Sequence, residues 1–416
     1  MELINKLYLR FYFLVMLLYA IFNKGIAYTF LVELLLAVGV LLILLNRQQY
    51  ELFINHKYKI VLGLIIITFF YIIFNIFNYP LFDVVRDSFV IEYALFAIII
   101  YFFKSESEYI WERLIQIYKW VPLIIFLNFF VFYYVVINFS PIEIFGGQPL
   151  LLYKNGDKSV HLLISTLFIF IFSDRYNKKW LFVNTFLIIL NLLILLAFSR
   201  SGSAAFLVGI FAFFFFNKQK IANPTLQTIV KLLPLILIIS IGLFVSVEFQ
   251  GDAQGRTLGF GQIVDNFTSI VGNDVDGSLT DNKVWRLLWW AKLINESLTP
   301  EHIIFGKGIG MSLASNDLLS TEENLRSPHN YNLTLLARFG YIILLVWLYF
   351  IYLVVKPMVL KKLNAKQLAV SAIIIGFIIN ASFDVYLEGP MGAFPFWTFV
   401  GLLFIMEDQS LSQTNT

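Results

Sequence analysis

Long apolar runs separated by short polar breaks set the pattern of this chain. Twelve runs stand out, at roughly 7–22, 26–45, 59–78, 88–103, 120–139, 159–173, 180–198, 202–216, 231–247, 331–355, 367–386 and 389–406. A helix needs about 20 apolar residues to cross the hydrocarbon layer, so each run is predicted to be a membrane-spanning helix. The seventh and eighth are parted only by Ser199-Arg200-Ser201. One long polar stretch, 248–330, interrupts the series between the ninth and tenth runs. The expected architecture is an all-α bundle of about twelve spans in a single membrane domain over 1–416, with one large loop at 248–330 and a short disordered tail at 407–416. Ile110, Leu114 and Ile117 set against Glu106, Glu108 and Glu112 predict an interfacial helix over 105–119.

Composition supports the membrane class. The 416 residues are 59% hydrophobic and 14% charged, against about 25% charged in soluble domains. A net charge of +3 gives no reason to expect a nucleic-acid partner. With no cysteine, disulfides, thiolate catalysis and cysteine metal sites are excluded. The first run follows Lys6 and Arg10 as a signal peptide would, but a second run succeeds it at once and no small-residue cleavage site stands out. It is therefore expected to remain as a span.

Basic residues orient the bundle, because Lys and Arg concentrate in cytoplasmic loops. One alternate set of segments holds eighteen of them, from Lys6 to Lys366, and the other short loops hold five: Lys24, Arg86, Lys154, Lys158 and Arg200. Both termini are expected in the cytoplasm, and the 248–330 loop is expected to be exported. Charges inside spans are costly and mark function by default. In this orientation Glu33, Asp83, Arg86, Asp87, Glu92, Arg200, Arg338, Asp384 and Glu388 all gather toward the outer ends of their spans. Arg338 lies two turns into the tenth, about 12 Å deep. A through-membrane ion path would need polar groups at every depth, so the pattern predicts a cavity open to the outside. The plainer alternative is that several of these groups snorkel to the interface.

Several segments carry candidate chemistry. Phe198-Ser199-Arg200-Ser201-Gly202-Ser203 opens a helix whose serines can cap orphan N–H groups. Arg200 and the helix N-terminus together suit an anion such as phosphate; otherwise the segment is a capped helix start with an interfacial arginine. Ser201, Ala205 and Gly209 form a small-residue face that allows close helix packing. Residues 280–297 predict an amphipathic helix with Val284, Leu287, Leu288, Ala291 and Ile294 on its apolar stripe. Arg286, Trp289 and Trp290 lie off that stripe or beside it, as a phosphate ligand and sugar-facing rings or as an interfacial helix with a solvated arginine. Phe305-Gly306-Lys307-Gly308-Ile309-Gly310 lacks the strand–helix setting of a nucleotide loop and is read as a flexible turn. In Ser327-Pro328-His329-Asn330-Tyr331, proline fixes the approach and Asn330 can cap the tenth span. His329 is then a candidate base for a sugar hydroxyl near neutral pH, where a lone histidine would otherwise be a surface residue. Asp274-Val275-Asp276 is read as a solvated turn rather than a metal site.

With these pieces in order around one long loop, the chain resembles the O-antigen polymerase and O-antigen ligase superfamily of bacterial envelope glycosyltransferases. The resemblance covers roughly 180–355 and rests on F-S-R-S-G-S at 198–203, K-V-W-R-L-L-W-W-A at 283–291, I-I-F-G-K-G-I-G at 303–310 and S-P-H-N-Y-N-L-T-L-L-A-R-F-G at 327–340. It implies metal-independent, inverting glycosyl transfer on the periplasmic side of the inner membrane, from a glycan carried on undecaprenyl diphosphate, with no cofactor. Arg200 and Arg286 match arginines that bind the diphosphate, and His329 matches the histidine that activates the acceptor hydroxyl. Arg338 matches a position that varies, and it is grouped with Asn330 and Ser201 as supporting. The partners implied are the lipid-linked oligosaccharide, membrane lipid and a chain-length regulator. A polymerase joining repeat units is the leading expectation and a ligase acting on a lipid A core the second. A flippase fits the span count, but no internal repeat relates the two halves. An intramembrane serine protease using Ser201 or Ser203 has no orienting carboxylate at matching spacing.

Overall fold

The computed structural model describes residues 2–23, 25–46, 56–131, 143–144, 148–150, 155–217, 224, 227–228, 249–250, 257–258, 263, 278–313, 326–360 and 363–414. The ninth apolar run and Asp274-Val275-Asp276 lie outside them. Apart from two two-residue antiparallel pairings, Glu143–Ile144 with Gln148–Pro149 and Phe249–Gln250 with Thr257–Leu258, the regular structure of the described residues is helical. The helices are α1 (Glu2–Phe22), α2 (Leu31–Leu45), α3 (His56–Asn75), α4 (Leu81–Glu92), α5 (Leu95–Phe102), α6 (Ser107–Val131), α7 (Asn155–Ile171), α8 (Lys178–Phe198), α9 (Arg200–Phe216), α10 (Ser278–Ser297), α11 (Tyr331–Val359), α12 (Ala365–Ala381) and α13 (Pro390–Thr414).

Among the described residues, six stretches are long and apolar enough to cross a membrane: Leu3–Phe22, Lys57–Asn75, Lys104–Val131, Lys178–Phe198, Tyr331–Val359 and Pro390–Ser410. Three shorter apolar helices, Leu31–Leu45, Arg200–Phe216 and Ala365–Ala381, accompany them. The described residues thus hold fewer full-length spans than the twelve expected, for identifiable reasons. The fourth run is divided into α4 and α5, because Ala94 N bonds Ile91 O at 2.8 Å and Phe96 N bonds Tyr93 O at 3.0 Å. Those i→i−3 bonds tighten the turn and end the α-helical ladder. The second run opens as a 3₁₀ turn over Gly25–Thr29. Glu33 consequently stands in the first turn of α2, where an acidic side chain complements the helix dipole.

Two expected boundaries move the other way. The interfacial helix expected over 105–119 is continuous with the span after it, as the single helix α6. Its stripe of Ile110, Leu114 and Ile117 is buried within the protein rather than laid on a membrane surface. Pro122 sits inside α6, and its carbonyl accepts from Asn191 Nδ2 at 2.8 Å. The tail from Glu407, expected to be disordered, continues α13 to Thr414. Glu407 pairs with Lys57 and Asp408 accepts from the Tyr101 hydroxyl, so two polar contacts hold it.

The chain divides into two compact units. One comprises Met1–Leu35, Ser105–Asn273 and Leu363–Asn380, and so holds α1, α6–α9 and most of α12. The small-residue face of α9 works there as expected. A Cβ on Gly209 would stand 2.4 Å from the Leu163 side chain of α7 and 3.3 Å from the Ala372 carbonyl of α12, so any larger residue would have to displace Leu163. His161 of α7 is buried against Tyr118, with Nδ1 and the hydroxyl 3.2 Å apart. Lys158, one of the loop cations that oriented the bundle, is buried and donates to the Ala20 carbonyl at 2.9 Å.

The other unit comprises Leu36–Lys104, Asp274–Lys362 and Ala381–Thr416, with α3–α5, α10, α11 and α13. Most of α13 is buried, packed on α5. By contrast α3 and α11 expose rows of large apolar side chains, among them Phe69, Phe70 and Phe74, and Leu345, Leu348 and Tyr352. Contiguous apolar surface of this extent suits lipid and not water.

Candidate functional site

The site in the second unit is built around the start of α11. Asn330 takes the N-cap position, and its side chain accepts from Leu333 N at 3.2 Å, as its place before the apolar run predicts. His329, immediately before the cap, adopts φ +55°, a left-handed conformation uncommon outside glycine, asparagine and aspartate. The Pro328 carbonyl accepts from Trp290 Nε1 at 2.7 Å, and the Tyr331 hydroxyl donates to the Val90 carbonyl of α4 at 2.8 Å. The imidazole is thus presented by a turn fixed on three sides.

Asp384 faces it. The carboxylate Oδ1 lies 3.7 Å from His329 Nδ1 and accepts from Val385 N at 2.7 Å. Asp384 and Glu388, expected to close the eleventh span, instead occupy the link between α12 and α13. Glu388 accepts from Thr334 Oγ1 at 2.8 Å. Burial pushes its carboxyl pKa above the usual range, against hydrogen bonds from Ser327 and Thr334 that lower it.

Arg286 reaches the same link from α10, where Nη1 donates to the Phe383 carbonyl at 3.3 Å. Burial depresses its pKa, and the neighbouring charge of Asp384 opposes that shift. Asp384 therefore sits between a guanidinium and an imidazole. The apolar stripe assigned to α10 faces outward, in a reversal of the usual arrangement: Val284, Leu287, Leu288 and Ile294 are exposed. The buried face carries Trp289, Leu293 and Ser297, with Trp289 Nε1 donating to the Leu313 carbonyl at 2.9 Å. Two indole N–H groups with loop carbonyls to bond decide which side turns in, because a buried indole keeps its partner. The aliphatic row is left for lipid.

Arg338 is buried at 2% exposure, and Nη1 donates to Asp87 Oδ2 at 2.7 Å and to the Met311 carbonyl at 3.1 Å. That oxygen of Asp87 also accepts from Gly310 N at 3.0 Å and Arg326 Nη2 at 3.2 Å. A buried charge stays ionised in the interior only when paired and bonded in this way. Arg338 thus ties α4, α11 and the glycine-rich segment together. Sequence reasoning located Asp87 but not its partners, and it passed over Arg326.

The segment Phe305–Gly310, read as a flexible turn, is a fitted one. Helix α11 breaks at Gly340, with φ 82° and ψ −178°. The break orphans carbonyls, and Lys307 N bonds Ala337 O at 2.7 Å while Gly308 N bonds Arg338 O at 3.0 Å. Tyr341 N bonds Ile303 O at 2.8 Å below the break. Non-helical backbone in a span survives only where other groups satisfy it, and this segment does so.

Arg200 and Ser201 belong to the first unit. Arg200 is the first residue of α9 and half-buried, next to the N-cap Ser199, whose hydroxyl accepts from Gly202 N at 3.1 Å. Ser203 Oγ donates to Ser199 O at 2.6 Å. Ser201 is half-buried in the same first turn. The structure thus brings Arg286, His329 and Asp384 together in the second unit and places Arg200 at a helix N-terminus in the first.

Apolar helices with outward-facing rows mark a membrane-embedded protein, and its second unit gathers a carboxylate, a guanidinium and an imidazole at one place. Residues 183–348 match the family described as O-antigen ligase, which supports the resemblance to the O-antigen polymerase and ligase superfamily. The match runs from α8 into α11 and contains Arg200, Arg286, His329 and Arg338. Members of this family are glycosyltransferase-like enzymes, their substrates are lipid-linked glycans, and the chain is an integral membrane protein. No curated protein matches the chain.

Proposed function

We propose that this protein is a polysaccharide polymerase, joining oligosaccharide repeat units carried on undecaprenyl diphosphate at the periplasmic face of the inner membrane. The observation that carries this reading is Asp384 beside both His329 and Arg286, in a chain whose residues 183–348 match the O-antigen ligase family. Asp384 favours the imidazole tautomer with a proton on Nδ1, which leaves Nε2 as the base. The acceptor hydroxyl oxygen attacks the anomeric carbon of the donor sugar, and its proton passes to His329 Nε2. The bond from that carbon to the diphosphate oxygen breaks with inversion, and the lipid diphosphate leaves with the electron pair. Arg286 offsets the charge growing on the departing group, and the resemblance assigns the same role to Arg200, so arginines take the electrostatic role a metal ion has elsewhere. The developing imidazolium is stabilised by the Asp384 carboxylate.

Eighteen basic residues against five across alternate loops support cytoplasmic termini and an exported 248–330 loop. The description of the matched family favours a second reading, in which the finished glycan is moved to a lipid A core. Purified protein supplied with a lipid-linked repeat unit and no core acceptor separates the two. A ladder of lengthening glycans is expected, and strict dependence on added core would overturn polymerase in favour of ligase.

A further inference from the structure

We propose that the corner between α3 and α4 is a second anion site, which holds a lipid-borne phosphate on Arg86 and Arg326. Neither residue matches an arginine that the superfamily resemblance assigns to the diphosphate. Helix α4 carries Asp83, Arg86 and Asp87 at i, i+3 and i+4, hence on one face. The inner layer of this cluster is closed, with Asp87 and Arg338 at 5% and 2% side-chain exposure. The outer layer is open: Arg86, Arg326 and Asp83 keep 40%, 30% and 26% of their side-chain surface.

In that outer layer one carboxylate serves two guanidinium groups. Asp83 Oδ1 lies 2.5 Å from Arg86 Nη2 and 3.6 Å from Arg326 Nη1. Arg86 Nε stands 3.6 Å from Asp87 Oδ1, beyond hydrogen-bond range. Each guanidinium has five N–H donors in a fork that matches phosphate. Arg326 Nη2 donates to Asp87 Oδ2 and the Gly310 carbonyl, each at 3.2 Å, and its Nε is buried, so Nη1 is the donor that faces Asp83. The cluster sets three arginines against Asp83 and Asp87. The remaining carboxylate acting on Arg338 is Glu388, which approaches from the α12–α13 link.

The surroundings identify where the anion comes from. Phe74, Phe77, Leu81 and Phe82 ring the corner at 70%, 85%, 56% and 62% exposure. The Arg86 guanidinium stands over the Phe82 ring, 5.6 Å from its centroid. In a membrane protein such a rim lies against acyl chains, which sets the guanidinium groups at headgroup level. Phosphate is the anion found at that level, borne either by a phospholipid or by a polyprenyl carrier. On this account Asp83 is a built-in competitor, hydrogen-bonded to Arg86 and within ion-pair reach of Arg326 where a phosphate would sit.

That competition gives the test its sign. Protein in phosphatidylcholine nanodiscs is titrated with phosphatidylglycerol or with undecaprenyl phosphate, and retained lipid is counted by native mass spectrometry. The Arg86→Gln/Arg326→Gln double variant is expected to lose about tenfold in affinity for the anionic lipid, and Asp83→Asn to gain about as much. An ion pair with only a structural role would give no gain on losing Asp83. Preference for undecaprenyl phosphate assigns the site to the carrier, and preference for phosphatidylglycerol assigns it to bulk lipid. Unchanged affinity in the double variant, or unchanged or weaker binding in Asp83→Asn, overturns the proposal. All three changes leave the buried Asp87–Arg338 pair intact, and unfolding temperatures near wild type check this. Since binding is read without sugar transfer, failure here and failure of the transferase reading are separately visible.

Discussion

His329→Asn is expected to lower glycan transfer by about 10²- to 10⁴-fold, the usual contribution of a positioned general base. Protein abundance in the membrane and binding of the lipid-linked donor should stay near wild type. Asparagine is the informative replacement because His329 holds φ +55°, which asparagine tolerates better than alanine does. The backbone turn and the Asn330 cap are thus kept while the imidazole is removed. Arg286 keeps its bond to the Phe383 carbonyl and remains available for the proposed diphosphate contact. Glycan gels from cells complemented with the variant, alongside donor binding to purified protein, supply the check. Wild-type polymer from His329→Asn would remove the imidazole from the mechanism.

Gly340→Ala is expected to destabilise the protein by about 4 kcal/mol or more and to abolish activity with it. A Cβ there would stand 2.2 Å from Ile304 O and 2.8 Å from Gly306 N, both backbone atoms that cannot rotate away. Its φ of 82° with ψ of −178° falls in a region open essentially to glycine alone. Relief by straightening α11 would shed the bonds from Lys307, Gly308 and Tyr341, and leave peptide groups unsatisfied in an apolar setting. Thermal unfolding in detergent measures the effect. An unfolding temperature equal to wild type would show that the break in α11 does not bear on stability.

Both effects arise from features that the sequence shows unequally. Helix starts were readable where a local signal exists. Asn330 before an apolar run and Ser199 before Gly202 cap α11 and α9 as their spacing predicts, because capping is settled within three residues. The close packing of α9 was readable too, since small residues at four-residue spacing leave few alternatives.

Contacts made far along the chain were not readable. A glycine inside an apolar run gives no sign that a segment more than thirty residues earlier will bond into a break there, as Lys307 N does to Ala337 O. Arg338 and Asp87 were each recognised as costly charges, but they lie 251 residues apart, and no periodicity pairs them. On α10 both faces carry large apolar side chains, so the helical stripe alone could not say which one packs. Indole hydrogen bonds to Leu313 and Pro328 settle the matter, and those acceptors belong to distant loop residues.

Product analysis of wild-type protein tests the transferase account most directly. Purified protein in nanodiscs is given a repeat unit on undecaprenyl diphosphate, with a chelator present, and the lipid released is counted against glycosidic bonds formed. The account predicts one undecaprenyl diphosphate released for each new bond. Recovery of the lipid-linked glycan intact, merely moved across the bilayer or left unchanged with every acceptor tried, would contradict it.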